Sequence, residues 1–373
     1  MVQNKCSIKR NAVMQTQVKQ LDFSGQNIYC GLDVHKRQVT VTVMVEELNY
    51  TTFSQSPPDP LGLVKYLKKN FPNGTYHAAY EAGFSGFWYQ EALASYGVNC
   101  LIANAADVPT TDKDRKQKRD PRDSRKLAKA LKNADIIPIY IPSKKTQHDR
   151  ALLRTRSRIV GNLTRCKNRI KSYLYFLGIE YPELFSSSKT HWSKAFMEWL
   201  RGLDLKEDSG NIIIKTFLTE AEFLRGLLLQ TNREIRQLSR TKHYAKMANL
   251  LIKIPGVGCI TAMTILAELE NIKRFKNLDH LCSYVGLIPN VSSSDTKVHV
   301  GDITKRCNGV LRSMLVESSW IAIRHDPALT LKYNELCVRM TGNKAIIRIA
   351  RKLLNRIRYV LVHEQEYQKA IVS

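Results

Sequence analysis

From residue 27 the chain alternates with a period of two. Residues 27–33 are largely apolar, and Val and Thr alternate over residues 38–45. The pair predicts a β-hairpin, with a third strand over residues 49–53. Pro57-Pro58-Asp59-Pro60 then reads as a turn that caps a helix over residues 61–71. Residues 75–80 are again strand-like and run straight into Glu81. A helix over 87–96 and a short strand over 98–103 complete an α/β pattern: three strands, then helix and strand in turn.

That order matches the ribonuclease-H-like arrangement, in which carboxylates gather at strand ends. Residues 104–119 read as a polar, basic loop. The period changes to helical over 121–131, and a short extended piece at 136–141 closes on Pro142. Residues 147–248 read as helical throughout, with Leu153, Ile159, Leu163, Ile170 and Leu174 at helical spacing. A second helix is expected over 219–249, separated from the first by an aromatic insert carrying Trp192 and Trp199. Two long helices of this kind predict a coiled-coil-like arm, or equally a plain helical subdomain. Further on, Ile254-Pro255-Gly256-Val257-Gly258 stands between two helical runs. Its glycines suit a helix-hairpin-helix turn, which lets backbone N–H groups approach a phosphate; an ordinary tight turn is the alternative. A polar loop over 289–308 carries Ser292, Ser293 and Ser294 with Lys297, Lys305 and Arg306. A C-terminal helix over 343–358 bears a ladder of Lys344, Arg348, Arg351, Lys352, Arg356 and Arg358. The expected division is a basic tail at 1–26, an α/β domain at 27–143 and a helical arm at 144–249. A mainly helical domain with the serine loop follows at 250–340, then a basic helix at 341–373. The fold class is therefore α/β plus α.

Composition narrows the function. With 43% hydrophobic residues the 373-residue chain buries enough surface to fold, which excludes a disordered protein. A formal net charge of +25 points to a polyphosphate partner, because Lys and Arg release condensed counterions when they bind DNA or RNA. A plain basic RNA-binding protein shares this balance. The eight cysteines form no Cys-x-x-Cys pair, so neither a zinc knuckle nor a redox motif is supported. The first 26 residues have no apolar stretch of signal-peptide type, and no apolar run reaches the roughly 18 residues of a membrane span. An intracellular protein with no membrane partner is expected.

Four carboxylates then stand out: Asp33, Glu81, Asp120 and Asp123. The last two lie in residues 113–132, among ten Lys/Arg and three Asp. Acidic groups inside so basic a stretch suggest a site that holds metal ions against a polyanion. Asp120 and Asp123 are three apart at a helix start, so they share a face. Helix capping accounts for either one alone; with Asp33 and Glu81 the balance moves to a metal cage. Two Mg²⁺ ions about 4 Å apart need several carboxylate oxygens and serve phosphodiester displacement. Candidate nucleic-acid contacts are Lys116, Lys118, Arg119, Arg122, Arg125, Gly256, Gly258, Lys297, Lys305, Arg306, Arg348 and Arg351. No phosphate-binding loop, His-Glu-x-x-His or Gly-x-Ser-x-Gly motif competes.

Three runs carry a family likeness: Gly31-Leu32-Asp33-Val34-His35-Lys36, Tyr80-Glu81-Ala82-Gly83 and Asp120-Pro121-Arg122-Asp123-Ser124-Arg125-Lys126-Leu127-Ala128. They resemble the DEDD transposases of the insertion-sequence family numbered one hundred and ten, and the related Piv invertases. In the second half, Ile254–Gly258, Tyr284-Val285-Gly286-Leu287-Ile288-Pro289 and Gly301-Asp302-Ile303-Thr304-Lys305-Arg306 resemble the same family's C-terminal transposase domain. The resemblance implies a RuvC-like N-terminal domain and a catalytic serine in the second half, which the family pattern places at Ser294, with Ser293 as the fallback. It implies strand exchange through a phosphoserine link at a Mg²⁺ site and guidance by a structured bridge RNA that pairs with donor and target DNA. Work of this kind calls for a dimer or tetramer in a bacterial or archaeal cytoplasm, beside the nucleoid. Two other readings remain open: a resolvase-like nuclease that uses water, and a non-catalytic nucleic-acid-binding protein.

Overall fold

The computed structural model describes residues 21–45, 49–109, 120–294 and 297–369. The chain divides into two compact units, Met1–Ile141 and Pro142–Ser373. The first unit is built on one five-stranded sheet of β1 (Asn27–Val34), β2 (Val39–Val45), β3 (Asn49–Gln55), β4 (Thr75–Glu81) and β5 (Asn99–Ala103), in the order β3-β2-β1-β4-β5. β1 to β3 form an antiparallel meander, whereas β4 and β5 run parallel to β1. This mixed sheet agrees with the ribonuclease-H-like order expected from the strand pattern.

One face of the sheet packs Ile28, Cys30, Leu32 and Tyr80 against Leu63, Val64 and Leu67 of α1 (Pro60–Asn70) and Tyr89 and Leu93 of α2 (Trp88–Ser95). Asp59 caps α1 by accepting from the Leu61 N–H at 3.0 Å, and Pro60 occupies the first turn, where its missing N–H costs nothing. The other face, where a third helix crosses it, is lined by small side chains, with Tyr29 and Leu101 beside them. There Ala79 and Ala103 meet Leu127, Ala130 and Leu131 of α3 (Asp120–Lys132).

The second unit opens on two long helices packed together, α4 (Lys144–Phe176) and α6 (Asp208–Ser239). α5 (Lys194–Arg201) wedges Phe196 and Leu200 among Leu163, Ile170, Leu174, Ile214 and Leu218. The helix expected over 219–249 is two helices. α6 ends at Ser239 and α7 (Ala245–Ile252) begins after a turn closed by Thr241, which donates to the Leu238 carbonyl at 2.7 Å. Tyr244 accounts for the break: its ring is buried, and its hydroxyl donates to Asp149 of α4 at 2.6 Å, a contact a straight helix would not make. α8 (Cys259–Leu269), α9 (Leu278–Val285), α10 (Gly309–His325), α11 (Pro327–Cys337) and α12 (Gly342–His363) enclose a second core around Met263, Leu281, Ile349, Leu353 and Ile357. The stretch expected as a polar loop over 289–308 contains a hairpin, β6 (Pro289–Ser294) with β7 (Lys297–Ile303). The alternation of Val298 and Val300 with His299 and Gly301 is its signal, masked by the serines and charges around it. Among the described residues no helix is long and apolar enough to cross a membrane.

A buried carboxylate holds the base of that hairpin. Glu268 on α8 is fully buried and accepts two hydrogen bonds from Arg154 of α4, at 2.7 and 2.8 Å, with Arg150 at 3.4 Å. It also accepts from Asn308 Nδ2 at 2.8 Å, and Asn308 in turn caps α10 through the Leu311 N–H. The Asn308 N–H donates to the Tyr284 carbonyl, so the two ends of the hairpin segment are tied to α9 and α10. A buried charge tolerates its desolvation only when paired and hydrogen-bonded in this manner. Glu268→Ala, which strips the anion from Arg150 and Arg154, is expected to lower stability by about 3 kcal/mol in urea unfolding. A loss below about 1 kcal/mol would remove the network from any structural role.

Candidate active site

The carboxylates come together because of how β1 and β4 are aligned. The strands run parallel with Gly31 beside Ala79 and Leu32 beside Tyr80, which brings Asp33 and Glu81 to neighbouring C-terminal strand ends. Side chains alternate along a strand, so Asp33 follows Gly31, and Glu81 follows Ala79, onto the face covered by α3. That face is kept low. A Cβ placed on Gly31 would stand 1.9 Å from the Ser124 carbonyl oxygen and 2.4 Å from the Ala128 N atom. Only glycine permits so close an approach of helix to strand. The Ser124 hydroxyl is buried and lies 2.8 Å from the Thr42 hydroxyl of β2, which fixes α3 along the sheet as well as above it.

With α3 so placed, its first turn reaches the end of β1. Asp33, His35 and Asp120 each offer one ligand atom, and the three atoms lie within 4.8 Å of one another. His35 Nε2 is 3.1 Å from Asp33 Oδ2 and 3.9 Å from Asp120 Oδ1, and Gln38 Nε2 donates to Asp120 Oδ2 at 3.4 Å. Burial pushes the Asp33 carboxyl above the ordinary carboxylate range. The His35 imidazole draws it down, and the charges of Asp120 and Asp123 push it further up. A half-buried carboxylate with two further acidic charges close by gains from a cation. Hard oxygen donors with one imidazole nitrogen suit a divalent ion.

Glu81 and Asp123 lie outside this tight group. Glu81 Oε1 is 3.5 Å from the ammonium of Lys126, which follows Asp123 by one helical turn on α3. Asp123 sits in the first turn of α3 and acts on Asp33 through its charge. His35 and Gln38 join the site although neither stands out in the sequence as a candidate. Asp33 and His35 are two apart at a strand end and so share a side; that spacing is the signal for His35, whereas Gln38 has none. Arg125 is exposed and its guanidinium stacks 4.1 Å from the Tyr50 ring centroid of β3. Arg122 also lies on α3, whereas Lys116, Lys118 and Arg119 fall outside the described residues.

In the second unit, Ser292, Ser293 and Ser294 occupy β6, and Ser294 stands opposite Lys297 at the end of the hairpin ladder. Lys305 and Arg306 are exposed just beyond β7. The Ile254–Gly258 turn links α7 to α8. Gly256 has φ +83°, and a Cβ there would meet the Ser318 carbonyl oxygen at 2.1 Å, so this turn demands glycine twice over. Gly258 precedes α8 with no side chain capping its first N–H groups. On α12, Arg348 is exposed, but Arg351 pairs with Asp279 and Arg356 pairs with the buried Asp326 at 2.7 Å. Part of the basic ladder therefore holds the unit together.

Two family models match the chain. One, described as "Transposase" of the DEDD type, covers residues 30–178; the other, described as "Transposase IS116/IS110/IS902 family", covers residues 248–334. The transposase for insertion sequence element IS1533 of Leptospira borgpetersenii is 25% identical, over 68% of this chain and 72% of its own. A putative transposase, y4qE, of Sinorhizobium fredii is 26% identical over 67% of this chain and 59% of its own. The transposase for IS1111A of Coxiella burnetii is 24% identical over 77% of each chain.

The close seat of α3 yields a direct test. Gly31→Ala is expected to cost about 1–3 kcal/mol in urea unfolding, as an overpacked contact does. It should also lift Asp120 away from Asp33 and shrink the rise in melting temperature caused by Mn²⁺. A variant that melts like the parent, with and without Mn²⁺, would show that the approach at Gly31 does not set the site.

Proposed function

Because the chain belongs to the IS116/IS110/IS902 family of transposases, we propose that it moves an insertion sequence by bridge-RNA-guided, serine-mediated strand exchange at a Mg²⁺-dependent carboxylate site. It is an enzyme that cleaves and rejoins DNA, and DEDD domains of this kind generally use a divalent metal. The observation that carries the reading is the convergence of Asp33, His35 and Asp120 at one strand end. Two Mg²⁺ ions bound there would neutralise the scissile phosphate and stabilise the departing oxygen.

The protein's own residues supply the rest. Asp33, Glu81, Asp120 and Asp123 provide oxygen ligands, while Lys126 orients Glu81 and His35 orients Asp33. The Ser294 hydroxyl attacks phosphorus. One DNA oxygen leaves as a free strand end, and a phosphoserine link remains until another strand end displaces the serine. Ser293 is the neighbour that could replace it. Arg122, Arg125, Lys305, Arg306 and Arg348 offer the backbone contacts such a reaction needs. The Gly256–Gly258 turn acts as a helix-hairpin-helix, with the uncapped start of α8 turned to use against a phosphate. The paired α4 and α6 serve as the helical arm that accompanies a RuvC-like domain and a serine domain. A dimer or tetramer working in the cytoplasm fits an exchange of several strands.

Recombination on donor and target plasmids, read beside nucleic-acid binding, tests this. Asp33→Asn, Glu81→Gln and Asp123→Asn are each expected to lower recombination by roughly 100-fold or more with DNA binding retained. Full recombination in any one of them overturns the cage. Ser294→Ala should abolish the covalent protein–DNA species; strand cutting that persists without it would point to water as the nucleophile. Sequencing the RNA that co-purifies should return one discrete structured species, and a random RNA population would remove the guide.

A further inference from the structure

Outside the carboxylate site, one groove of the second unit gathers basic side chains, some of which no acid among the described residues pairs. The groove, of about 720 Å³, is bounded by α4, α5 and α6, with Lys167, Trp192, Lys194, Arg201, Glu222 and Arg225 along it. Arg201 pairs with Glu222, and Lys194 lies 3.8 Å from Glu198. Among the described residues no carboxylate comes within ion-pair distance of Lys167, Lys171 or Arg225. The Lys167 and Lys171 ammonium groups crowd onto one indole, 5.1 and 5.9 Å from the Trp192 ring centroid. Burial, helped by the charges of Arg225 and Lys171, holds Lys167 below the ordinary lysine range.

The indole face attracts each ammonium, but it does not cancel the repulsion among Lys167, Lys171 and Arg225 as a carboxylate would. The usual outcome on a helix surface is a carboxylate close by, as Glu220 answers Arg169 on these same two helices. A cluster left without one is a signature of a site that keeps its charge for a ligand. Lys167 and Lys171 stand one turn apart on α4, about 6 Å along the axis at the backbone. Arg225 of α6 acts on Lys167 from across the groove, so the positive charge is spread along the groove and not held at one point. The ligand is therefore a repeating anion, and for a DNA-cleaving and DNA-joining enzyme the chemistry that fits is the sugar–phosphate backbone.

We propose that the α4–α5–α6 groove binds the phosphodiester backbone of the DNA substrate, through Lys167 and Arg225 along it and Lys171 at the Trp192 ring. The site lies on helices that carry none of the carboxylates, so it adds hold on DNA without chemistry of its own.

The test uses the full-length protein and a DNA duplex of random sequence, with affinity measured against KCl concentration. The double variant Lys167→Gln/Arg225→Gln should flatten the slope of log K against log salt by about two, one for each phosphate no longer neutralised. Its melting temperature without nucleic acid should stay close to the parent's, since the relieved repulsion offsets the lost Lys167–Trp192 contact. Lys167→Arg should keep the parental slope. Lys215→Gln, an exposed lysine on α6 away from the groove, serves as the control. An unchanged slope in the double variant overturns the proposal. So does an equal loss per charge in Lys215→Gln, which would mark a general charge effect. A slope that changes for single-stranded RNA and not for DNA overturns the choice of DNA, and displacement by inorganic phosphate alone would reduce the groove to a small-anion site. Should the double variant fail to fold, the exposed Arg225→Gln alone, with an expected change of about one, decides the matter.

Discussion

The candidate site depends on one steric fact, the absence of a side chain at Gly31. α3 lies so near β1 that the Ser124 carbonyl and the Ala128 backbone occupy the space a Cβ would need. Ser124, Ala128, Thr42 and Ala79 keep the rest of that contact thin. The place of Asp120 in the site follows from the distance this sets. A helix seated one methyl group higher would leave Asp120 out of reach of His35 and Asp33, and the three ligand atoms would not share one small volume. Close packing here is worth little as burial of apolar surface; its value is positional.

The second unit solves a different problem. Its hairpin, β6 with β7, sits between α9 and α10 in the chain. What secures its base is polar: Glu268, buried among Arg150, Arg154, Asn308 and Tyr284, ties four helices at the point where the hairpin leaves and returns. Such a cluster contributes less net stability than an apolar core of equal size, but it fixes one geometry, because the buried carboxylate must keep all its donors at once. Asp326 does the same for α10, α11 and α12, with Arg356 and Tyr367 around it. The contrast with the groove at Lys167 is informative. Where this protein needs internal order it supplies the counter-charge, and among the described residues it supplies none to Lys167, Lys171 or Arg225.

The elements of the first unit are plain in the sequence for a simple reason. Alternating Val and Thr in β2, the Asp59-Pro60 start of α1 and the apolar run into Glu81 are local signals with little competition. Legibility falls where tertiary contacts override the pattern. The break between α6 and α7 depends on Tyr244 finding Asp149, ninety-five residues earlier. The β6–β7 hairpin is written in residues that also suit a loop. The ladder on α12 looks uniformly available for a polyanion, yet Arg351 and Arg356 are engaged with Asp279 and Asp326, acids supplied from elsewhere in the unit.

By itself the sequence determined the chemistry on offer: acids at two strand ends and one helix start, a large excess of positive charge, and family motifs in both halves. Those are properties of residue type and local spacing, and they survive without knowing where any segment lies. The tertiary structure decided which of the offered groups meet. It put His35 into the acidic cluster, left Glu81 to Lys126, and drew Asp120 rather than Asp123 beside Asp33. It also brought Lys167 and Lys171 of one helix against Trp192, with Arg225 of another helix along the same groove. The physical reason is the same throughout. Composition and periodicity say which face a residue takes, but the depth at which two faces settle is set by the smallest side chains between them, here none at all at Gly31.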